Sequence, residues 1–309
     1  MSEKLIQKES DSMEEEISQK ELDLVLFDIN YPAPILISHD ELLIPENGDG
    51  YMILRKDKSL GKGSFGKVYR YYYKNIEYAV KIINQYDEVF FDSESRAIVL
   101  LKMYQILYKR TCKIIPCKLV ESLIGTVSIM PVMDGNILAI RDKIRVMDIE
   151  QKKEILESIR EQMESVIRLN DEEDIKHELQ SHMRFAYLDL KFGNVLYKVD
   201  SEGKIIYLLG DIGSIVENLP KTNPGEFIST YPIQIKEMLV TNATNVYIVK
   251  SMRYLFGIFA YALCNNIIIK KTLSRYKLSK KNRELVEILG NEYDNLIDDE
   301  EIGIRISMY

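Results

Sequence analysis

Leu60 to Tyr69 read LGKGSFGKVY, and Lys81 comes fifteen positions after the last of these glycines, inside Tyr78-Ala79-Val80-Lys81-Ile82-Ile83. Gly61, Gly63 and Gly66 carry no Cβ, so backbone N–H groups there can approach phosphate oxygens closely. G-x-G-x-x-G alone is a weak signal, and the residues after it decide the fold. A dinucleotide-binding turn opens directly into a helix. Here the next residues, KVYRYYYKNIEYAVKII, are β-branched and aromatic and are broken once at Lys74-Asn75. That pattern predicts strand, turn, strand, with Lys81 on the second strand.

Further residues come in a fixed order. Phe91-Asp92-Ser93-Glu94-Ser95-Arg96-Ala97 opens a helical pattern running through Ile98, Leu101 and Met103. Tyr187-Leu188-Asp189-Leu190-Lys191-Phe192-Gly193-Asn194 precedes a strand pattern, and Leu209-Gly210-Asp211-Ile212-Gly213 closes it. This ordered set resembles the protein kinase superfamily over residues 52–231. The resemblance implies an α+β, two-lobed protein-kinase-like fold. Its small lobe would be β-rich, and its large lobe mainly helical with a truncated C-terminal end. The expected division is an acidic N-terminal extension over 1–47, a small lobe over 48–133 and a large lobe over 134–309.

The same resemblance assigns roles. Leu60, Gly61, Gly63 and Gly66 would cover the ATP phosphates, and Lys81, held by Glu94, would face them. Val68, Ala79, Met130 and Leu196 would enclose the adenine, beside a hinge at Pro131-Val132-Met133. Asp189 would take the proton of the acceptor hydroxyl, with Lys191 neutralising the γ-phosphate. Asn194 and Asp211 would hold Mg²⁺, which suits a cation that takes few protein ligands besides phosphates and waters. The expected activity is ATP- and Mg²⁺-dependent transfer to Ser/Thr hydroxyls of protein substrates, since Lys191 is typical of Ser/Thr kinases. The alternatives are a catalytically weak pseudokinase scaffold and a small-molecule phosphotransferase of kinase-like fold.

The sequence also departs from the family. Leu188 stands where an Arg usually precedes the catalytic Asp, and Tyr187 where a His is usual. The Ala-Pro-Glu expected after Ser229-Thr230-Tyr231-Pro232 is missing, and Met252 falls where the central helix carries an Asp. These departures, with a segment like Leu209-Gly210-Asp211-Ile212-Gly213-Ser214-Ile215, resemble the compact kinases of large cytoplasmic DNA viruses. That would place the chain in the host cytoplasm or the virion.

Bulk properties bound the rest. The chain has 309 residues, 46% hydrophobic and 29% charged, with a formal charge of −7. An acidic balance argues against non-specific nucleic-acid binding. The three cysteines fit a reducing compartment, here the cytoplasm, and Cys112-x4-Cys117 lacks the second ligand pair of a zinc site. Residues 1–23 hold eight acidic side chains against three Lys, a solvated tail by composition. Residues 24–47 carry apolar runs broken by Pro32, Pro34 and Pro45, read as packing on the small lobe. Ile155, Ile159, Met163 and Ile167 repeat at helical spacing, which predicts a helix within 148–182. The most apolar run, Tyr254 to Cys264, is too short to span a bilayer and reads as a buried helix. No feature of the sequence fixes the oligomeric state.

Overall fold

The computed structural model describes residues 19–46, 50–62, 66–83, 88–108, 112–167, 184–218, 252, 255–257, 259–260 and 262–266. Its first part is a closed barrel. Strands β1 (Ile35–Leu36), β2 (Glu41–Pro45), β3 (Tyr51–Lys62), β4 (Gly66–Tyr73), β5 (Ile76–Ile83), β6 (Lys118–Ser122) and β7 (Thr126–Pro131) close in the order β1-β2-β3-β4-β5-β7-β6. Neighbours pair antiparallel except β1 with β6, which pair in parallel and close the ring. The β4–β5 turn falls at Lys74-Asn75, as the sequence pattern predicts, with Lys74 at φ 52°.

Strand alternation makes the barrel wall two-faced. Ile76, Tyr78, Val80 and Ile82 of β5, with Val127 and Ile129 of β7, enter the barrel core. Ala79, Lys81 and Met130 face outward into a cleft. Gly66 is required by packing, since a Cβ there would stand 2.6 Å from the Ile82 carbonyl oxygen. The β3–β4 ladder shifts register between Lys56 and Ser59 and again between Ser59 and Gly61. Such irregularities bend a hairpin, here the one that carries the glycines.

Residues read as an N-terminal extension supply part of this wall. Leu22 and Leu26 of helix α1 (Gln19–Leu26) are buried in the barrel core beside Leu36, Leu42 and Ile44. Phe27 meets Tyr78 edge to face, with ring centroids 6.1 Å apart.

The expected two-lobed kinase fold with a mainly helical large lobe is corrected. The described residues form a closed seven-stranded barrel and few helices, which is not that typical fold. Helix α2 (Glu88–Tyr108) comes after the fifth strand, and beyond the barrel lie α3 (Arg141–Val146) and α4 (Ile149–Ile167). Strands occupy much of the rest. Short β8 (Gly135–Asn136) pairs with β10 (Val195–Val199), which pairs with β11 (Ile205–Leu209). Strand β9 (Arg184–Tyr187) pairs with β12 (Ile215–Asn218). The reason is local: VLYKV and IIYLL are β-branched and aromatic runs that satisfy one another's backbone groups across a ladder.

A second core gathers Ile155, Ile159 and Met163 of α4, Tyr187, Leu188 and Leu209 from the strands, and Met252, Phe256 and Phe259, which are helical. Gln162 ties α4 to β11: its amide donates to the Tyr207 carbonyl at 2.8 Å and accepts from the Leu209 N–H at 2.8 Å. Residues 168–182 of the expected helix lie outside the described residues. No helix among the described residues is long and apolar enough to cross a membrane.

Candidate functional site

The outward face of the barrel wall meets the second core across a cleft of about 770 Å³, a size common to small-molecule sites. Leu60, Gly61, Gly66, Val68, Ala79, Lys81, Glu94, Met130 and Leu196 all line it. Lys191, Asn194 and Asp211 line it from the opposite side. Gly63 lies outside the described residues. Ala79 and Met130 are direct cross-strand partners on β5 and β7, which places both on one wall.

Lys81 is the centre of the charge arrangement. Its Nζ pairs with the Glu94 carboxylate, which comes from α2, and stands 3.0 Å from Asp211 Oδ1. Lys81 and Asp211 are 130 positions apart in sequence. Burial pulls the lysine pKa down, but the charges of Glu94 and Asp211 outweigh it and hold the pKa above the ordinary value. Lys81 is therefore charged throughout the physiological range. Glu94 is only 3% exposed, and its second oxygen accepts a hydrogen bond of 2.7 Å from the Ser128 hydroxyl.

Asp211 sits at φ 52°, ψ 65°, the left-handed region. A non-glycine residue held there costs on the order of 1–3 kcal/mol and persists only where its surroundings enforce it. Those surroundings are visible. The Gly210 N–H donates to the Asn194 carbonyl at 2.8 Å, and the Tyr187 hydroxyl donates to the Gly210 carbonyl at 2.6 Å. A Cβ on Gly210 would stand 2.9 Å from Leu196 Cδ1, so a larger residue there would require the Leu196 side chain to shift. Burial first, then the charges of Asp211 and Asp189, push the Tyr187 pKa far up. Tyr187 is thus a neutral donor.

Asp189 does not line the cleft; it lies just behind it at 3% exposure. Lys191 Nζ approaches its carboxylate at 2.5 Å, and Asn194 Nδ2 donates to the same carboxylate at 2.9 Å and to the Asp189 carbonyl at 2.8 Å. With the Asn194 nitrogen committed to Asp189, the amide oxygen is the atom of this side chain that could hold a cation. Leu188, where an Arg is usual, is buried in the second core.

Sequence reasoning missed two contributors. The sequence places Ser128 among apolar Val127, Ile129 and Met130, and a hydroxyl in that run is itself a signal, since buried polar groups need partners. The Tyr187 hydroxyl bond joins residues 23 positions apart, and no local pattern announces it. No protein-family model matches the chain, and no curated protein matches it.

Proposed function

We propose that the chain is an ATP- and Mg²⁺-dependent serine/threonine protein kinase. The observation that carries this is the meeting of Lys81, Glu94, Asn194 and Asp211, from four separate segments, on one cleft. The cleft fits the ligand chemistry. Gly61 has nothing within 4 Å of where a Cβ would project, so packing within the described chain does not demand a glycine there. Close approach by a ligand would. Asp211 and the Asn194 amide offer the hard oxygen donors that Mg²⁺ prefers.

Asp211 and the Asn194 amide oxygen would hold Mg²⁺, which would supply charge neutralisation for the phosphates. Lys81 binds the α- and β-phosphates, and Glu94 keeps its ammonium from wandering. Lys191 faces the γ-phosphate. Asp189 takes the proton as the acceptor oxygen bonds to phosphorus and the bond to the β-phosphate oxygen breaks. The barrel fold does not alter these roles, because they require positions, not a particular large lobe.

A second reading is favoured by one observation. The Asp189 carboxylate is engaged by Lys191 and Asn194 and set behind the cleft wall, as in a nucleotide-binding scaffold without transfer. Transfer of radiolabelled γ-phosphate from ATP to a mixed library of Ser, Thr and Tyr peptides decides between them. The expected outcome is labelling of Ser and Thr peptides, with turnover on the order of 1–100 s⁻¹ for a good substrate, reduced by orders of magnitude in Asp211→Asn. Nucleotide binding without transfer selects the scaffold. Absence of both binding and transfer removes the reading altogether.

A further inference from the structure

We infer that Ser128 is a positioning residue that sets Lys81 through Glu94; the functional part of this inference rests on reading the cleft as a nucleotide site. The geometry is a three-point clamp. Ser128 and Lys81 are direct cross-strand partners on β7 and β5, so their side chains leave the same face of the wall about 5 Å apart at Cβ. Glu94 reaches down to both from α2. One carboxylate oxygen pairs with the Lys81 ammonium, and the other accepts from the Ser128 hydroxyl at 2.7 Å.

Neither end of the serine contact is open to water: Ser128 is 0% and Glu94 3% exposed. The site is desolvated more widely, since burial and the Glu94 charge push the pKa of nearby Cys117 well up. In such a setting a carboxylate held at one oxygen can pivot about that contact. Held at both, it has one orientation, and the ammonium it carries has one position. The hydroxyl thus fixes the docking of α2 and the aim of Lys81 together. An apolar side chain at 128 would pack as well against its neighbours but would leave a buried carboxylate oxygen without a donor.

The test separates this role from the nucleotide reading by using nucleotide-free protein. In Ser128→Ala, backbone amide exchange over Glu94–Leu101 is expected to accelerate by roughly tenfold or more, the loss of one charge-assisted hydrogen bond. Exchange on β3 to β5 is expected to stay as it was. Modification of Lys81 by an amine-reactive reagent, read by peptide mass, is expected to rise in parallel. Ser128→Thr, which keeps the hydroxyl, restores slow exchange and slow modification. With Mg²⁺ and ADP, Ser128→Ala weakens binding in the wild-type background and adds nothing in Lys81→Met, because its effect runs through that lysine.

Unchanged exchange on α2 together with unchanged Lys81 modification overturns the inference. So does acceleration spread evenly over all barrel strands, which marks ordinary core support. If the alanine variant does not fold, Ser128→Cys, a similar volume with a weak donor, carries the same readouts. If the wild type binds no ADP, the nucleotide reading fails while exchange and modification still decide the clamp.

Discussion

Lys81 and Glu94 were both named through the family resemblance, which reads the lysine after the glycine loop and the glutamate in the helix that follows. Ser128 was not, because its partner lies 34 positions away and a small residue in an apolar strand carries no mark of direction. The distinction has an energetic consequence. Removing Lys81 does more than delete the proposed phosphate contact: it strands a carboxylate that is 3% exposed. Breaking a buried pair by taking one partner commonly costs about 3–5 kcal/mol, whereas replacing both partners by apolar groups is often close to neutral. Lys81→Met is therefore expected to lower unfolding free energy by about 3 kcal/mol or more, and Lys81→Met with Glu94→Leu to recover most of the loss while remaining inactive. Urea denaturation of the three proteins checks this. A single variant as stable as wild type would show that the pair is not desolvated. Inactivity of the single variant alone thus says little about chemistry, and Asp211→Asn is the cleaner test, since Asp211 is more exposed than Glu94.

Among elements, the β4–β5 hairpin was legible because strand periodicity and a two-residue turn are written within a few positions. Helix α1 and strand β6 were not, because they meet only at long range, in part through one lysine. Lys118 on β6 donates to the carbonyls of Leu26 at 3.0 Å, Asp28 at 3.1 Å and Tyr31 at 2.5 Å, and its ammonium lies 5.4 Å from the Tyr31 ring centroid. Burial, aided by the charge of Lys102 and opposed by Asp28, lowers its pKa from 10.5 to about 8. A base whose folded pKa lies below its unfolded value binds fewer protons folded than unfolded between the two, so stability rises with pH from about 8 toward 10.5. Buried tyrosines act the other way. Tyr71, Tyr78 and Tyr187 have raised pKa values, so their contribution is lost only as pH passes the ordinary tyrosine value of 10.0. Urea midpoints of wild type and Lys118→Met, compared from pH 7 to about 9.5, isolate the lysine. The wild type is expected to gain on the variant as pH rises through 8. A constant difference would mean that the three carbonyls hold the ammonium charged throughout.

For the molecule as a whole, resemblance conveyed the order of the site residues but not the architecture, and the reason is topological. The barrel closes where Ile35 pairs with Glu121 and Leu36 with Ser122, positions more than eighty apart, and no local pattern encodes that meeting. The sequence instead showed proline-broken apolar runs, which read as material laid against a finished lobe. In the structure the Glu121 N–H donates to the Pro34 carbonyl at 2.8 Å at the start of that pairing. The two readings make opposite predictions about removing residues 19–37. If the segment were laid on from outside, its loss would leave a closed sheet and a modest loss of buried area. If it closes the barrel, its loss opens β2 at Leu42 and Leu43 and β6 at Glu121 and Ser122 and leaves unpaired N–H and C=O groups on both edges, a template for pairing between chains. It also removes Leu22, Leu26 and Leu36 from the core, and even one such leucine truncated to alanine commonly costs about 2–5 kcal/mol. The deletion is therefore expected to unfold without a cooperative transition and to elute as higher-order species. Because β6 borders β7, which carries Ser128 and Met130, the cleft is expected to fail with it: nucleotide protection, where the intact chain shows it, should vanish. A deletion that stays monomeric, melts cooperatively and keeps that protection would return residues 19–37 to the role of an appended segment.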